Sequence, residues 1–208
     1  MPNFSGRVSF VTGAGSGIGQ AMALTLAAEG STVVCSDINE QTAQATAARL
    51  EELGASAIAN GLDTSDEEAF KEALVKTQRD HGRLDVLMNN AGVAGRDWDT
   101  TTAINYSGVF YGLLHACPII AEHGGGAVVN TASVAGLGAL MRQQSNYHKD
   151  LAAVTGVASY VAAKHGVIGL TKQFAVAYGE AGVRVNAICP GYIETPIITE
   201  RLAHDRGR

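Results

Sequence analysis

A regular alternation of two kinds of segment constrains the fold of this chain more than any other feature. Short runs of β-branched and apolar residues are separated by longer, Ala-rich segments of helical composition. The candidate strands are residues 7–12, 32–36, 56–60, 84–88, 127–130 and 183–188. Strands that alternate with helices form parallel sheets through right-handed crossovers, with helices on both faces. We therefore predict a doubly wound α/β fold that spans residues 1–208 as a single domain.

The segments between the strands carry helix start and stop signals. The predicted helices are residues 17–29, 40–53, 65–81, 97–122 and 159–178. Ser65 is the predicted N-cap of the third helix, because Ser65-Asp66-Glu67-Glu68 fits the capping-box pattern.

Composition excludes several classes of protein. The chain has 20 acidic and 15 basic residues and a formal charge of −5. It has no run of basic residues, which argues against a nucleic-acid binder. The start of the chain lacks a signal-peptide layout, and no apolar stretch approaches 18 residues without a polar interruption. We expect a protein of the cytoplasm that is not anchored in a membrane.

No metal site is expected. Cys35, Cys117 and Cys189 are far apart and are interpreted as reduced, buried thiols. The six histidines do not cluster, and the acidic residues around Asp66 resemble a helix start.

A glycine-rich segment follows the first strand. Residues 12–19 read TGAGSGIG, at the point where strand turns into helix. Glycine lets the backbone turn sharply and approach a ligand closely, while a helix N-terminus offers N–H groups to a pyrophosphate. A tight structural turn is the alternative interpretation. On the first interpretation, this segment binds the pyrophosphate of a dinucleotide cofactor. The residues expected to contact that cofactor are Gly13, Ser16, Gly17, Ile18 and Gly19.

An acidic residue ends the second strand. Asp37 lies 18 residues after Gly19, where a carboxylate can accept hydrogen bonds from the adenosine ribose. It would repel a 2′-phosphate, and no arginine stands at residues 36–39, so NAD is favoured over NADP. Alternatively, Asp37 forms a turn with Asn39. Asp63, after the third strand, is either an adenine contact or a residue at the start of the next helix.

Two further motifs give the chain a family resemblance. Residues 89–92 read NNAG and residues 160–164 read YVAAK. Together with the glycine segment, they resemble the short-chain dehydrogenase/reductase family over residues 7–195. The resemblance implies a Rossmann sheet, a nicotinamide cofactor and a catalytic set of Asn, Ser, Tyr and Lys.

The family's roles transfer to matching residues of this chain. By resemblance, Asn90 and Gly92 line the adenosine side of the cofactor, Asn105 supports a proton-relay water and Ser133 is the catalytic serine. A loop resembling the family's nicotinamide-binding loop contains Pro190, Gly191, Ile193 and Thr195. The implied catalytic residues are Asn105, Ser133, Tyr160 and Lys164, and the last two are also implied to contact the cofactor.

The spacing of Tyr160 and Lys164 suits acid–base chemistry. Residues four apart share one face of a helix. The pKa of a free tyrosine is near 10, and a nearby ammonium favours the phenolate, so Tyr160 can act as a base near neutral pH. Ser133 can hydrogen-bond the substrate oxygen as charge develops. Without the other motifs, the same spacing fits an exposed aromatic residue beside a solvated charge.

Three departures from the family pattern stand out. Ser133 and Tyr160 are 27 residues apart, about twice the family's usual spacing, which suggests an insertion at residues 141–156. Tyr147 stands nearer the usual distance, but residue 151 is Leu, so Tyr147 lacks a lysine partner. The interval from Gly92 to Asn105 is short, and the family's C-terminal elements are expected to be absent after residue 195. The insertion is interpreted as part of the substrate pocket wall.

These observations predict an NAD-dependent oxidoreductase that transfers a hydride between NAD(H) and a secondary alcohol or ketone. The alternatives are a 3-oxoacyl thioester reductase and a catalytically silent dinucleotide-binding subunit. Steroid, sugar and cyclic alcohol substrates remain open. Small residues on the helix that carries Tyr160 permit close helix packing, and the family often uses that helix at a subunit interface, so we expect a homo-oligomer, in particular a tetramer.

Overall fold

Six strands form one parallel sheet at the centre of the molecule. The structure is a computed structural model that describes residues 4–140 and 147–196. The strands are β1 (Val8–Thr12), β2 (Thr32–Asp37), β3 (Ala57–Gly61), β4 (Val86–Asn89), β5 (Gly126–Thr131) and β6 (Val183–Ile188). Their order in the sheet is β3-β2-β1-β4-β5-β6, and every neighbouring pair is parallel. The doubly wound Rossmann fold is therefore confirmed, with each strand within two residues of its predicted bounds.

Six α-helices within the described residues connect and cover the strands. They are α1 (Gly17–Ala28), α2 (Glu40–Glu52), α3 (Glu67–His81), α4 (Trp98–Thr102), α5 (Gly108–Glu122) and α6 (Leu151–Tyr178). A π-helical turn, Ala103–Ser107, joins α4 to α5. Short 3₁₀ turns occur at Val134–Gly136 and Tyr147–Lys149.

Two apolar clusters hold the layers together, one on each face of the sheet. Phe10, Leu87 and Val128 point to one face, where they pack with residues of α3, α5 and α6. Val11 and Val33 point to the opposite face, where α1 and α2 pack. Because successive strand residues alternate between two covered faces, the strands are apolar along most of their length.

Two helix starts differ from their predicted positions. The N-cap of α3 is Asp66, whose carboxylate accepts a hydrogen bond from the Ala69 N–H at 3.0 Å, so the prediction of Ser65 was wrong. Helix α6 begins at Leu151, eight residues before the predicted start, because Asp150 caps it through the Ala153 N–H at 3.0 Å. Residues 151–156 of the suggested insertion are therefore helical, whereas residues 141–146 lie outside the described part of the chain, as do residues 197–208.

Two of the described helical segments are long and apolar enough to cross a membrane by length and composition. They are Trp98–Glu122 and Leu151–Tyr178. Both pack one face against the sheet and contribute Val109, Leu113 and Val167 to its core. The core helix of a globular fold can pass the same test of length and composition. Only 22% of the apolar window in α6 is buried, however, so much of that helix presents apolar surface outward.

A buried carboxylate ties the starts of β1 and β4 together. The Asp85 side chain is fully buried and accepts hydrogen bonds from the Val8 N–H at 2.9 Å, from Arg7 Nη1 at 3.0 Å and from Arg83 Nε at 2.7 Å. Burial alone would raise the pKa of Asp85, but the hydrogen bonds and charges of its partners lower it below the ordinary value of 3.8. The ionised carboxylate therefore stabilises the folded state.

We expect Asp85→Asn to lower the free energy of unfolding by about 3 kcal/mol at neutral pH, because two guanidinium groups lose their buried partner. The loss is fully present above pH 3.8 and shrinks as the pH falls below it, where the wild-type carboxyl also becomes protonated. Urea unfolding at several pH values measures the difference. Asp80→Asn, which removes an exposed carboxylate paired with Lys76 and Arg79, is the matched control and should change stability little. Equal losses in the two variants would contradict the role of Asp85.

Candidate active site

A central cavity opens where the parallel strands end. Its volume is about 460 Å³, and its walls come from the loops after β1, β2, β4, β5 and β6 together with α6. Open parallel sheets bind ligands at this edge, at the point where the strand order reverses. The predicted residues that line it are Gly13, Ser16, Gly17, Ile18, Asp37, Asn90, Gly92, Ser133, Tyr160, Lys164, Pro190, Gly191, Ile193 and Thr195.

The glycine segment forms the floor of the cavity as it turns from β1 into α1. Gly13 and Gly17 have φ angles of 66° and 53°, in the left-handed region that side chains other than glycine rarely adopt. A Cβ atom on Gly17 would lie 3.2 Å from the Thr195 side chain. The first turn of α1 begins in this floor, and Ser16 makes no side-chain capping bond. Ser16, Gly17 and Ile18 line the cavity, and the unpaired N–H groups of a helix start suit a pyrophosphate.

Asp37 closes the cavity at the end of β2. One carboxylate oxygen accepts the Gly15 N–H at 2.9 Å, and the other accepts the Asn39 N–H at 3.0 Å. The two interpretations of Asp37 are therefore compatible, since the carboxylate forms a turn with Asn39 and also lines the cavity. Its bond to Gly15 fixes the carboxylate beside the glycine segment.

Asn90 links three strands beneath the cavity. Its Nδ2 donates to the Thr12 carbonyl at 3.1 Å, and its Oδ1 accepts the Thr131 hydroxyl at 3.1 Å. The Thr12 hydroxyl oxygen in turn accepts the N–H groups of Asn90 and Ala91, each at 2.9 Å. These bonds hold the ends of β1, β4 and β5 in register.

Asn105 lies at the centre of the π-helical turn and is completely buried. Its amide makes two bonds to one residue, because Oδ1 accepts the Val93 N–H and Nδ2 donates to the Val93 carbonyl, both at 2.8 Å. The side chain therefore holds the loop after β4 against the helix. Val93 lines the cavity, whereas Asn105 lies behind it.

Ser133, Tyr160 and Lys164 all line the cavity. Ser133 follows β5, and its hydroxyl oxygen accepts the Ala135 N–H at 3.1 Å. Tyr160 and Lys164 lie one turn apart on α6, with Lys164 Nζ 5.6 Å from the centroid of the Tyr160 ring. The structure thus brings together the three side chains that the sequence motifs single out.

The Lys164 ammonium is almost completely buried. It donates a hydrogen bond to the Thr131 carbonyl at 2.7 Å. Burial lowers the pKa of Lys164 from 10.5 to about 8, while the charge of the Cys189 thiolate would raise it. At neutral pH the group is still mostly a cation, and it supplies positive charge beside the Tyr160 ring.

Two predicted cofactor residues do not line the cavity. Gly19 is buried in α1, where a Cβ atom would lie 2.1 Å from the Gly13 carbonyl oxygen, so it permits close packing within the loop. Asp63 is exposed, and its Oδ1 accepts the Ser65 N–H at 2.9 Å and the Ser65 hydroxyl at 2.7 Å. This contact matches the helix-start interpretation, and the adenine contact stays a prediction.

Several lining residues were missed by the motif analysis. They are Ile38, Ala91, Val93, Thr131, Ala132 and Pro196. Ala91 lies within the NNAG motif, the others are sequence neighbours of predicted site residues, and that adjacency was the available signal. The position of Cys189 near Lys164 had no signal in the sequence, because it depends on how β6 ends beside α6.

A second groove lies on the other side of the loop at residues 193–195. It has a volume of about 710 Å³ and runs along α1, with a mostly apolar lining that includes Met22, Leu26 and Met88. It contains none of the catalytic candidates, so we assign the chemistry to the smaller central cavity. Within the described residues, no group of three or more His, Cys, Asp or Glu side chains has the arrangement of a metal site.

Comparison with known proteins gives consistent matches over nearly the whole chain. The family model described as short chain dehydrogenase matches residues 7–206. Cyclohexanol dehydrogenase of Acinetobacter sp. (strain SE19) is 40% identical over 207 residues, which cover 95% of this chain and 77% of that protein. Levodione reductase of Leifsonia aquatica is 38% identical over 211 residues, or 96% of this chain and 74% of that protein. A crystal structure of levodione reductase superposes with a TM-score of 0.87 at 36% identity, covering 99% of this chain and 79% of that one.

The depressed pKa of Lys164 predicts a specific pH dependence of stability. Between pH 8 and 10.5 the unfolded chain still holds the Lys164 proton that the folded protein has released, so raising the pH favours the folded state. Relative to Lys164→Met, the wild-type protein should gain up to about 3 kcal/mol of unfolding free energy across this range. Urea unfolding at stepped pH tests it, with the exposed Lys172→Met as control. A difference independent of pH would show that the ammonium is not desolvated.

Proposed function

The chain belongs to the short-chain dehydrogenase family and is an oxidoreductase of alcohol and ketone groups, and from this we propose that it is an NAD-dependent enzyme of secondary alcohols and ketones with Tyr160 as general acid/base. The observation that carries the proposal is the meeting of Ser133, Tyr160 and Lys164 in the cavity that the glycine segment and Asp37 also line.

The lining fits a dinucleotide from end to end. The uncapped start of α1 suits the pyrophosphate, Asp37 suits the adenosine ribose hydroxyls, and Lys164 suits the nicotinamide ribose. Pro190, Gly191, Ile193 and Thr195 would hold the nicotinamide carboxamide. NAD supplies the hydride acceptor when alcohol is oxidised, and NADH supplies the donor when ketone is reduced.

The chain's own residues manage the proton and the developing charge. In alcohol oxidation, the Tyr160 phenolate accepts the hydroxyl proton as the substrate carbon loses hydride and its C–O bond becomes C=O. In ketone reduction, the Tyr160 hydroxyl returns that proton to the carbonyl oxygen. The Lys164 cation favours the phenolate, and the Ser133 hydroxyl donates to the substrate oxygen as negative charge develops there.

Asn105 lies behind the cavity wall and does not contact the reacting atoms. Its two bonds to Val93 fix the loop that contributes Gly92 and Val93 to the cavity. A Cβ atom on Gly92 would lie 3.0 Å from Asn105 Oδ1 and 3.6 Å from Lys164 Nζ. We therefore assign Asn105 a positioning role, and its support of a proton-relay water remains part of the proposal.

The assembly and location are proposed on separate grounds. The outward apolar surface of α6 supports a homo-oligomer, with a tetramer as the expected state. Cys35, Cys117 and Cys189 are free thiols, and burial raises the pKa of Cys35 and of Cys117 to about 12. Cys189 is only partly buried, whereas the buried thiols of Cys35 and Cys117 are of low reactivity and fit the reducing cytoplasm, where we place the protein.

Removal of the Tyr160 hydroxyl tests the mechanism. We expect Tyr160→Phe to lower kcat by roughly 10²- to 10⁴-fold, because the proton loses its acceptor, while NADH binding is retained. The measurements are NADH formation with a panel of secondary alcohols and NADH fluorescence titration. Tyr178→Phe, whose ring stacks on Phe174 away from the cavity, is the control.

Two other outcomes would point to a different base or to a protein without turnover. Activity that survives in Tyr160→Phe and disappears in Tyr147→Phe would move the base to Tyr147, whose side chain lies outside the described part of the structure. NAD binding without turnover in the wild-type protein would support a catalytically silent dinucleotide-binding subunit.

The charge of Asp37 predicts the choice of cofactor. The wild-type protein should prefer NAD, since the carboxylate would repel a 2′-phosphate. Asp37→Asn should lower the ratio of kcat/KM for NAD over NADP by roughly 10- to 100-fold, as expected when a like charge a few ångströms away is removed. Asp63→Asn is the control, and an equal change there would instead place the adenosine beside Asp63. A wild-type preference for NADP would contradict the proposal.

A further inference from the structure

Exposed apolar side chains stand on the two loops that follow β5 and β6 and contribute Ser133 and Ile193 to the cavity. Val134 and Leu137 follow β5, and Tyr192 and Ile193 follow β6, with exposed fractions of 39%, 69%, 78% and 47%. We call these four residues the apolar rim. Large apolar side chains are costly to leave in water, and when they cluster at the mouth of a cavity they mark a binding surface.

The first half of the rim is presented by a rigid turn. The 3₁₀ turn Val134–Gly136 is capped by the Ser133 hydroxyl, and a Cβ atom on Gly136 would lie only 2.5 Å from the Lys164 carbonyl oxygen. The turn therefore sits directly on the backbone of α6. Residues three apart on a 3₁₀ turn lie above one another, so Val134 and Leu137 share the outward face.

The second half of the rim is tied to the first by the backbone. The Val134 N–H donates to the Pro190 carbonyl at 3.0 Å, which joins the loop after β5 to the loop after β6. Ser133 and Ile193 both line the central cavity, so the rim continues directly from its catalytic end. Ile193 also lines the groove along α1, together with the neighbouring Glu194.

Charge is scarce around the catalytic end. The rim carries neither a carboxylate nor an ammonium, and Val93 and Ala132 add only hydrocarbon to the wall. Among the described residues that line the cavity, the single ammonium is Lys164, which is buried and bonded to the Thr131 carbonyl. Within the described part of the chain, an anionic substrate body would therefore meet apolar surface where it needs a counter-ion.

Given the proposed function, on which this step rests, we propose that the substrate is a secondary alcohol or ketone with an uncharged hydrocarbon body that packs on the apolar rim. Leu137 and Val134 are then specificity-determining residues. Transfer of a CH₂ group from water onto apolar surface contributes about 0.8 kcal/mol, so kcat/KM should rise about two- to fourfold for each added CH₂.

The test measures kcat/KM of the full chain with NAD for secondary alcohols from propan-2-ol to octan-2-ol. A matched pair tests charge, because 5-hydroxyhexanoate carries a carboxylate where 6-methylheptan-2-ol carries an isopropyl group. We expect the rise with chain length, and at least a tenfold preference for the uncharged partner of the pair.

Two serine variants test whether Leu137 causes the dependence of kcat/KM on the chain length of the alcohol. Leu137→Ser should lower the octan-2-ol to propan-2-ol ratio of kcat/KM by about fivefold, because one side of the hydrocarbon loses its contact. Leu53→Ser removes an equally exposed leucine, 71% against 69%, at the C-cap of α2 and should leave the ratio unchanged. Light scattering of both variants reports the oligomeric state.

The outcomes separate this inference from the function beneath it. Turnover of all alcohols with no dependence on chain length, or equal turnover of the acid, would overturn the apolar substrate class and leave the proposed function standing. A change of oligomeric state in Leu137→Ser with an unaltered ratio would show that the rim contacts another copy of the chain. Absence of turnover with every alcohol would overturn the proposed function itself, and this inference with it.

Discussion

The hydrogen bonds around Thr12 and Asn90 are the interaction on which the rest of the site depends. Strands β1, β4 and β5 each deliver a different part of the site: the glycine segment, the loop with Gly92 and the turn with Ser133. The bonds from Asn90 to Thr12 and from Thr131 to Asn90 join the ends of these strands. A parallel sheet has no short loops between neighbouring strands that could do this. The side-chain amide thus sets the relative positions of the glycine segment and the loops that carry Gly92 and Ser133.

The same end of the sheet carries an unusual density of buried polar groups. Asn89 donates to the Val109 carbonyl and to Asn130 Oδ1, and Asn130 donates to the Thr171 hydroxyl, which connects the sheet to α5 and α6. Each group would be costly in an apolar interior without its partner. Because the network reaches α6, it also fixes the helix that carries Tyr160 and Lys164.

The sequence patterns predicted the sheet well and the helix starts less well. Strand positions follow from a local signal, because runs of β-branched residues bounded by turns leave little choice of where each strand begins and ends. The start of α6 was predicted eight residues late, since the Gly and β-branched residues before Ser159 obscure a helix that Asp150 caps. The motifs indicated Tyr160, Lys164 and Ser133, whose roles depend on residue type and spacing. Other features depend on packing between distant elements, which no local sequence pattern reports. They are the hydrogen bonds of Asn105 to Val93, the burial of Lys164 and the apolar rim that includes Leu137.

The π-helical turn at Ala103–Ser107 has a consequence for how this chain tolerates changes in length. One residue added to an α-helix rotates everything beyond it by about 100°, which would turn a core face toward water. A π-turn accommodates the extra residue within a single wide turn. Helix α4 can therefore face α6 while α5 keeps Val109 and Leu113 in the core, as though the two were separate helices. We therefore expect changes of length between residues 94 and 97, which leave the bonds of Asn105 to Val93 in place, to disturb the core beyond residue 107 little.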